Sequence, residues 1–403
     1  MRSVGVVTTS RADYGIYRPV LRALEASEDF ELRLFVSGTH LLEAHGSTVD
    51  AIEADGFEIQ ARLEVMHDDD DSPSAVARTM GRATQAFADA FERWQPDFLM
   101  VLGDRYEMHA AAAAALPFGI PVVHLHGGEL SEGAIDDALR HSMTKLSHLH
   151  CVSTEEYGRR VIQLGEQPWR VHITGAPSLD NLAQVELLDR RAFETEHGIA
   201  LPERFLLVTF HPVTLEVGDN ARQTDELLAA LERTGLPVLM TMPNADTEGR
   251  QVFERLQAWA TLDAERFLVK SLGLQGYFSA MDLASAMVGN SSSGLIEAPS
   301  FDLPVVNVGS RQDGRTRGAN VVDTLCEADA IVLAIERALD DVFRHRLTGA
   351  PNPYGDGHAT GRILDALRQA PDRSQLVRKS FFNISPADEH RVPRSAMGTY
   401  RHD

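Results

Sequence analysis

Short apolar and β-branched runs alternate with longer helical patterns along most of the chain, which restricts it to βαβ units on parallel sheets. Runs over residues 4–9, 31–36 and 57–63 are followed by helical patterns over 16–24, 41–54 and 75–94. Further runs at 98–102, 121–123, 150–153 and 171–174 lead to Gly175-Ala176-Pro177-Ser178, where the periodicity breaks. It restarts with runs at 205–210, 237–241, 266–269, 284–288 and 305–308, separated by helices such as 224–233 and 247–259. At 403 residues and 43% hydrophobic, the chain can bury two such cores. The expected fold class is α/β: two Rossmann-like, doubly wound parallel-sheet domains facing across a cleft. They span 1–177, with acid/base residues, and 178–357, which binds nucleotide. A helix at 358–370 follows the Pro/Gly-rich turn 351–357 and crosses back to the first domain. Residues 371–403 read as a polar tail, mobile or ordered by a partner subunit.

A formal charge of −21, from 38 Lys+Arg against 59 Asp+Glu, excludes a general nucleic-acid binder, which needs a basic surface. An anionic small ligand must instead be held by a few placed arginines. Cys151 and Cys326 lie far apart and fit neither a disulfide framework nor a zinc pattern, so the expected setting is a reducing cytoplasm. Residues 1–7 are too brief for a signal-peptide core, and no stretch reaches the ~18 apolar residues of a membrane span.

Residues 101–145 concentrate the chemistry. One buried run ends in Gly103-Asp104-Arg105, the next in His124-Leu125-His126-Gly127-Gly128-Glu129. Open α/β sheets build ligand sites at the C-terminal ends of their strands. A helical segment over 133–146 then places Asp136 and Arg140 four residues apart on one face. Carboxylates, histidines and arginines therefore converge on one sheet edge, suited to acid/base work on an anionic substrate.

Other stretches offer anion sites. Thr8 to Gly15 joins the first strand to the first helix, where N–H groups and the helix dipole favour an anion that Arg11 can grip. A capped turn with a solvated arginine explains the same residues. No GxGxxG or P-loop is present, which argues against nicotinamide cofactors and ATP. Gly289-Asn290-Ser291-Ser292-Ser293-Gly294 reads as a phosphate cradle opening a helix, with Glu297 placed for a ribose; a capping turn is the plainer reading. His211-Pro212-Val213-Thr214 and Pro243-Asn244-Ala245-Asp246 end strands on the ligand edge of the second sheet. His211 there can stabilise or protonate a departing phosphate. Arg311, in the loop 309–315, can complete the clamp. His67 and the four aspartates after it lack ligand spacing and read as a solvated loop, so no metal is expected.

In order, Ser10 to Gly15, Gly103-Asp104-Arg105, the His-x-His-Gly-Gly-Glu of 124–129, Asp136-Asp137 with Arg140-His141, His211 to Thr214, Pro243-Asn244, Gly289 to Gly294 and Arg311-Gln312 resemble the hydrolysing UDP-N-acetylglucosamine 2-epimerases of bacterial sialic-acid and legionaminic-acid pathways. The likeness runs from about residue 4 to about residue 322. It implies a GT-B fold, no cofactor, a UDP-sugar substrate and a cytoplasmic homodimer or homotetramer. The Gly-Thr-Arg-Pro-Glu opening usual in non-hydrolysing relatives is absent. The resemblance carries acid/base roles onto Asp104 and Asp136. It carries nucleotide or phosphate contacts onto Arg11, Arg105, His211, Asn244, Ser291, Ser292, Glu297 and Arg311. One departure matters: some members have a catalytic glutamate where this chain has His126, and similar variants resemble epimerases for 2,4-diacetamido-trideoxy sugars.

The expected reaction eliminates UDP from UDP-N-acetylglucosamine to a 2-acetamidoglycal, then adds water to release N-acetylmannosamine. Asp104, His126 and Asp136 supply the acid/base groups, with Glu129 in reserve and Arg140 and His211 beside them. The alternatives are the same reaction on nucleotide-linked diacetylbacillosamine, a GT-B glycosyltransferase, and a non-catalytic sugar-nucleotide sensor.

Overall fold

The structure, a computed structural model, describes residues 1–42, 48–66, 72–131, 135–213, 216, 218–242 and 249–384. The chain forms two compact units. One comprises Met1–Glu129, Asp136–Pro177 and the stretch from His358 onward; the other comprises Leu130–Ile135 and Ser178–Gly357.

The first unit is built on seven strands: β1 (Arg2–Thr8), β2 (Phe30–Ser37), β3 (Ile59–Leu63), β4 (Phe98–Leu102), β5 (Val122–Leu125), β6 (Leu149–Val152) and β7 (Val171–Ile173). They are all parallel, in the order β3-β2-β1-β4-β5-β6-β7. Every residue of β4 and β5 is buried, as expected of parallel strands covered on both faces. The order reverses direction between β1 and β4. Their C-terminal ends therefore open the crevice where doubly wound sheets bind ligands. The helix Arg11–Glu25 covers this sheet through Tyr14, Tyr17, Val20, Leu21 and Leu24, a helical spacing of apolar residues.

The second unit repeats the plan with β8 (Leu206–Thr209), β9 (Val238–Thr241), β10 (Arg266–Val269), β11 (Ala286–Gly289), β12 (Val305–Val308) and β13 (Val321–Thr324). Its parallel order is β10-β9-β8-β11-β12-β13, with the reversal between β8 and β11.

Several expected boundaries move. β3 begins at Ile59 rather than residue 57, because Phe57 closes a turn through its N–H on the Ile52 carbonyl and packs edge-on to Tyr14. The helical pattern over 41–54 resolves into a 3₁₀ turn, Gly38–Leu41, and a short helix, Val49–Ala54. β13 was not foreseen; Val-Val-Asp-Thr is short and half polar. The loop at 67–71, and residues 385–403, lie outside the described residues. Among the described residues, no helix is long and apolar enough to cross a membrane.

The reading of everything past 371 as a tail that is mobile or partner-ordered is corrected for 372–382. The helix Ala359–Gln369 buries Ile363, Leu364 and Leu367 in the first core. The chain then runs on as a strap over the same unit. Arg373 donates to the Phe118 and Gly119 carbonyls at 2.6 and 2.8 Å, and Leu376 is fully buried. Arg170 reaches the Leu376 and Arg378 carbonyls at 2.9 and 3.0 Å, and the Phe382 N–H donates to the Gly165 carbonyl. The physical anchor is Glu166, fully buried, with Lys145 Nζ at 2.6 Å, Lys379 Nζ at 2.7 Å and His150 Nε2 at 3.0 Å. A buried carboxylate needs such partners.

Burial alone would raise the Glu166 carboxyl, but the bonds from His150, Lys145 and Lys379 outweigh it and hold it at about 2, against an ordinary 4.5. A depressed carboxyl adds stability above its unfolded value and loses it as pH falls through the folded one. Glu166→Gln is therefore expected to cost on the order of 3 kcal/mol in urea unfolding at pH 7. The difference from the parent should close towards pH 2; one that persisted there would contradict this account.

Candidate functional site

In the first unit, the turn after β1 is organised from within. Asp13 accepts from the Thr9 N–H at 2.9 Å, the Ser10 N–H at 2.9 Å, the Thr9 hydroxyl at 2.8 Å and the Thr8 hydroxyl at 2.9 Å. Ser10 in turn caps the helix by accepting from the Asp13 N–H. Burial would raise the Asp13 carboxyl, yet the bond and charge of His40, with Arg105 and Thr9, hold it below the ordinary range. The expectation that these N–H groups await a ligand anion is thus corrected. Two of them already serve Asp13, as the capped-turn reading has it, and Arg11 is exposed. Arg105, also expected to bind phosphate, forks onto the buried Glu107 at 2.7 and 3.2 Å.

The ends of β4 and β5 are locked together. His124 Nε2 lies 2.8 Å from the Gly103 carbonyl oxygen. Burial, only partly opposed by that bond, pushes its imidazole down to about 3, so at neutral pH it is an uncharged strut. Next along the chain, His126 has its backbone in the left-handed region, φ 61°, and is followed by two glycines. A side chain at 128 would meet the Tyr157 carbonyl oxygen at 2.4 Å, and one at 127 would meet His124 at 2.9 Å. That tight turn returns Glu129 to His126, Nδ1 to Oε1 2.5 Å, with Ser153 Oγ 3.2 Å from each. Buried Arg140, from the helix Ile135–Leu146, ties the group together. It forms an ion pair with Asp104, donates to the His126 carbonyl at 3.1 Å and lies 3.8 Å from Glu129 Oε2. Asp136, half-buried, lies in the first turn of the same helix.

In the second unit, Asn290 links the two strand ends at the reversal. Its Oδ1 accepts from the His211 N–H at 2.7 Å and its Nδ2 donates to the His211 carbonyl at 2.8 Å. Arg311 and Gln312 donate to the Asn290 carbonyl at 3.2 and 2.8 Å. Burial, then the charge of Arg311, lowers the His211 imidazole to about 3. At neutral pH it offers one hydrogen bond rather than a spare proton. The expected helix after the serine run is a single turn, Ser293–Ile296, so its dipole is small. Ser291 Oγ donates to Ser293 Oγ at 3.3 Å, Ser292 occupies the N-cap position without a side-chain capping bond, and Glu297 accepts from Ser178 at 2.6 Å. Asn244 and Thr214 lie outside the described residues.

The first unit thus gathers Asp104, His126, Glu129 and Arg140, with Arg105 at the adjacent helix start. The second gathers His211, Arg311 and Ser291 around Asn290. Sequence reading missed Asp13 as the organiser of its turn, Ser153 beside His126, and Tyr277. The Tyr277 hydroxyl lies 3.2 Å from Thr209 Oγ1. Ser153 directly follows β6, and its place at a strand's C-terminal end was the only signal available. Among the described residues, no three His, Cys, Asp or Glu side chains form a metal-binding group.

The family model described as UDP-N-acetylglucosamine 2-epimerase matches residues 22–368. A Legionella pneumophila protein named UDP-N,N'-diacetylbacillosamine 2-epimerase (hydrolyzing) is 38% identical, over 94% of this chain and 99% of that one. A Campylobacter jejuni protein named GDP/UDP-N,N'-diacetylbacillosamine 2-epimerase (hydrolyzing) is 35% identical over 95% and 99%. Among solved structures, the Neisseria meningitidis UDP-GlcNAc 2-epimerase bound to UDP-GlcNAc superposes with a TM-score of 0.79 at 17% identity, covering 91% of this chain and all of that one. At that identity the likeness shows the fold, a GT-B-like pair of parallel-sheet domains.

Proposed function

The chain belongs to the UDP-N-acetylglucosamine 2-epimerase family, and from that premise we propose that it hydrolyses a nucleotide-linked 2,4-diacetamido-2,4,6-trideoxy sugar of the diacetylbacillosamine type, inverting C2. The observation that carries the choice of sugar is the near full-length match to two relatives named for that reaction. The first expectation, UDP-N-acetylglucosamine, is supported only through the family. A glycosyltransferase or a silent sensor finds no support among these relatives.

The chemistry follows from what a C2–H beside an acetamido group can do. It is a weak acid, so breaking the C1–O bond to the diphosphate first, with oxocarbenium character developing at C1, eases its removal. We assign stabilisation of the departing diphosphate to Arg11, Arg105, Ser291, Ser292, His211 and Arg311, preorganised electrostatics of the kind that dominates many rate enhancements. Asn244 joins these contacts, and Glu297 accepts the ribose hydroxyls. Acid/base groups drawn from Asp104, His126 and Asp136 take H2 to give a 2-acetamidoglycal. Water then adds across the double bond with the opposite C2 configuration, and free sugar and nucleoside diphosphate depart. No cofactor enters these steps. The same reading puts the enzyme in the cytoplasm as a homodimer or homotetramer.

Turnover of UDP-diacetylbacillosamine, GDP-diacetylbacillosamine and UDP-N-acetylglucosamine, compared as kcat/KM, tests the sugar. The diacetamido substrates are expected to win by at least about tenfold, the scale set by extra apolar and hydrogen-bonding contacts. A preference for UDP-N-acetylglucosamine would restore the first expectation.

A further inference from the structure

The geometry points to Glu129 as a positioning residue that, with Ser153, fixes the His126 ring so that Nε2 is the atom that takes H2. This rests on the 2-epimerase reading and deepens it. A carboxylate only accepts hydrogen bonds, so Glu129 Oε1 at 2.5 Å requires the proton on Nδ1. Ser153 Oγ donates to the same carboxylate oxygen, which keeps that oxygen aimed at the ring. In the neutral ring the lone pair is then on Nε2. That nitrogen is buried and has no hydrogen-bond partner among the described residues, although His126 as a whole is only 6% exposed. Buried polar atoms without partners are rare and call for an explanation. A substrate C–H supplies one, since a proton can be taken there without a resident hydrogen bond being broken.

The backbone is arranged for this. His126 holds φ 61°, an uncommon conformation for a residue with a side chain, and its N–H is tied to the Cys151 carbonyl at 3.2 Å. Arg140 grips the His126 carbonyl. Among the described residues, the charged and titratable groups around the ring are Glu129 on its own loop, His124 on β5, Arg140 on the helix Ile135–Leu146, and Asp104 beyond Arg140. Asp104 is engaged by Arg140 through one carboxylate oxygen.

In the step itself, Nε2 bonds H2, the C2–H electron pair becomes the C1=C2 bond, and the C1–O pair leaves on the diphosphate. The imidazolium so formed is stabilised by Glu129, which stays ionised. Glu129 touches no reacting atom.

Glu129→Gln tests this in the full-length enzyme. Its kcat is expected to fall about 100-fold with KM within about threefold. A primary isotope effect with C2-deuterated substrate should emerge or grow. Ser153→Ala should show the same changes in smaller measure. UDP binding, unchanged in both, shows that the variants fold. A kcat within threefold of the parent, or an unchanged isotope effect, overturns the assignment. The wild-type ring, nitrogen-15 labelled and identified by its loss in His126→Asn, should resonate as the Nδ1–H tautomer; an Nε2–H tautomer also overturns it. That reading needs no turnover. If no nucleotide sugar is consumed while the Nδ1–H form is found, it is the 2-epimerase reaction that has failed and not the dyad.

Discussion

Asp104→Asn and His126→Ala are each expected to cut sugar release by about 10²–10⁴-fold, the usual scale for removing a positioned acid or base. That corresponds to about 3–5 kcal/mol of transition-state stabilisation. Nucleotide affinity should remain within a few-fold, because none of the residues proposed to hold the diphosphate is altered. The buried surroundings of these residues make the split between chemistry and binding informative. Arg140 loses an ion-pair partner in the first variant, and Glu129 keeps Arg140 and Ser153 in the second. Steady-state kinetics beside calorimetric UDP titration measures both quantities. Near-normal turnover in both variants would remove Asp104 and His126 from the chemistry.

The second large effect is structural. At Gly289, the last residue of β11, φ is 139°, and an added Cβ would stand 2.1 Å from the Thr209 carbonyl oxygen of neighbouring β8. That obstacle is backbone, which cannot swing aside. Gly289→Ala is expected to cost roughly 2–6 kcal/mol, from ~1–3 of conformational strain and ~1–3 of overpacking, and to displace Asn290 and the His211 it holds. Urea unfolding and loss of UDP affinity should register it together. Gly198→Ala is the control: φ 68° but nothing within 4 Å, so about 1–2 kcal/mol and intact binding are expected. Equal costs at the two positions would contradict the argument from close approach.

Much of the architecture was legible because strands buried on both faces are written as unbroken apolar runs. The sequence reading located twelve strands, from β1 to β12, within a few residues of their places. β13 escaped because Val-Val-Asp-Thr is too short and polar to stand out. The strap was illegible for another reason. Lys379 acquires its meaning from Glu166, far away in sequence, and neither residue is marked by a local pattern. The same limit applied at the candidate site. Sequence brought His126 and Glu129 to notice as a pair flanking two glycines, but only φ 61° at His126 and 79° at Gly128 show the chain doubling back so that the two side chains meet. The anion reading of the β1 turn was physically sound. What it could not foresee was that the anion there is the chain's own Asp13.

The most direct measurement is product analysis by NMR in deuterated water, with UDP-diacetylbacillosamine as substrate. The account predicts UDP and a free sugar inverted at C2, with deuterium at that carbon. A sugar released with its original C2 configuration and hydrogen would contradict it, since the C1–O bond would then have been cleaved without any proton leaving its neighbour.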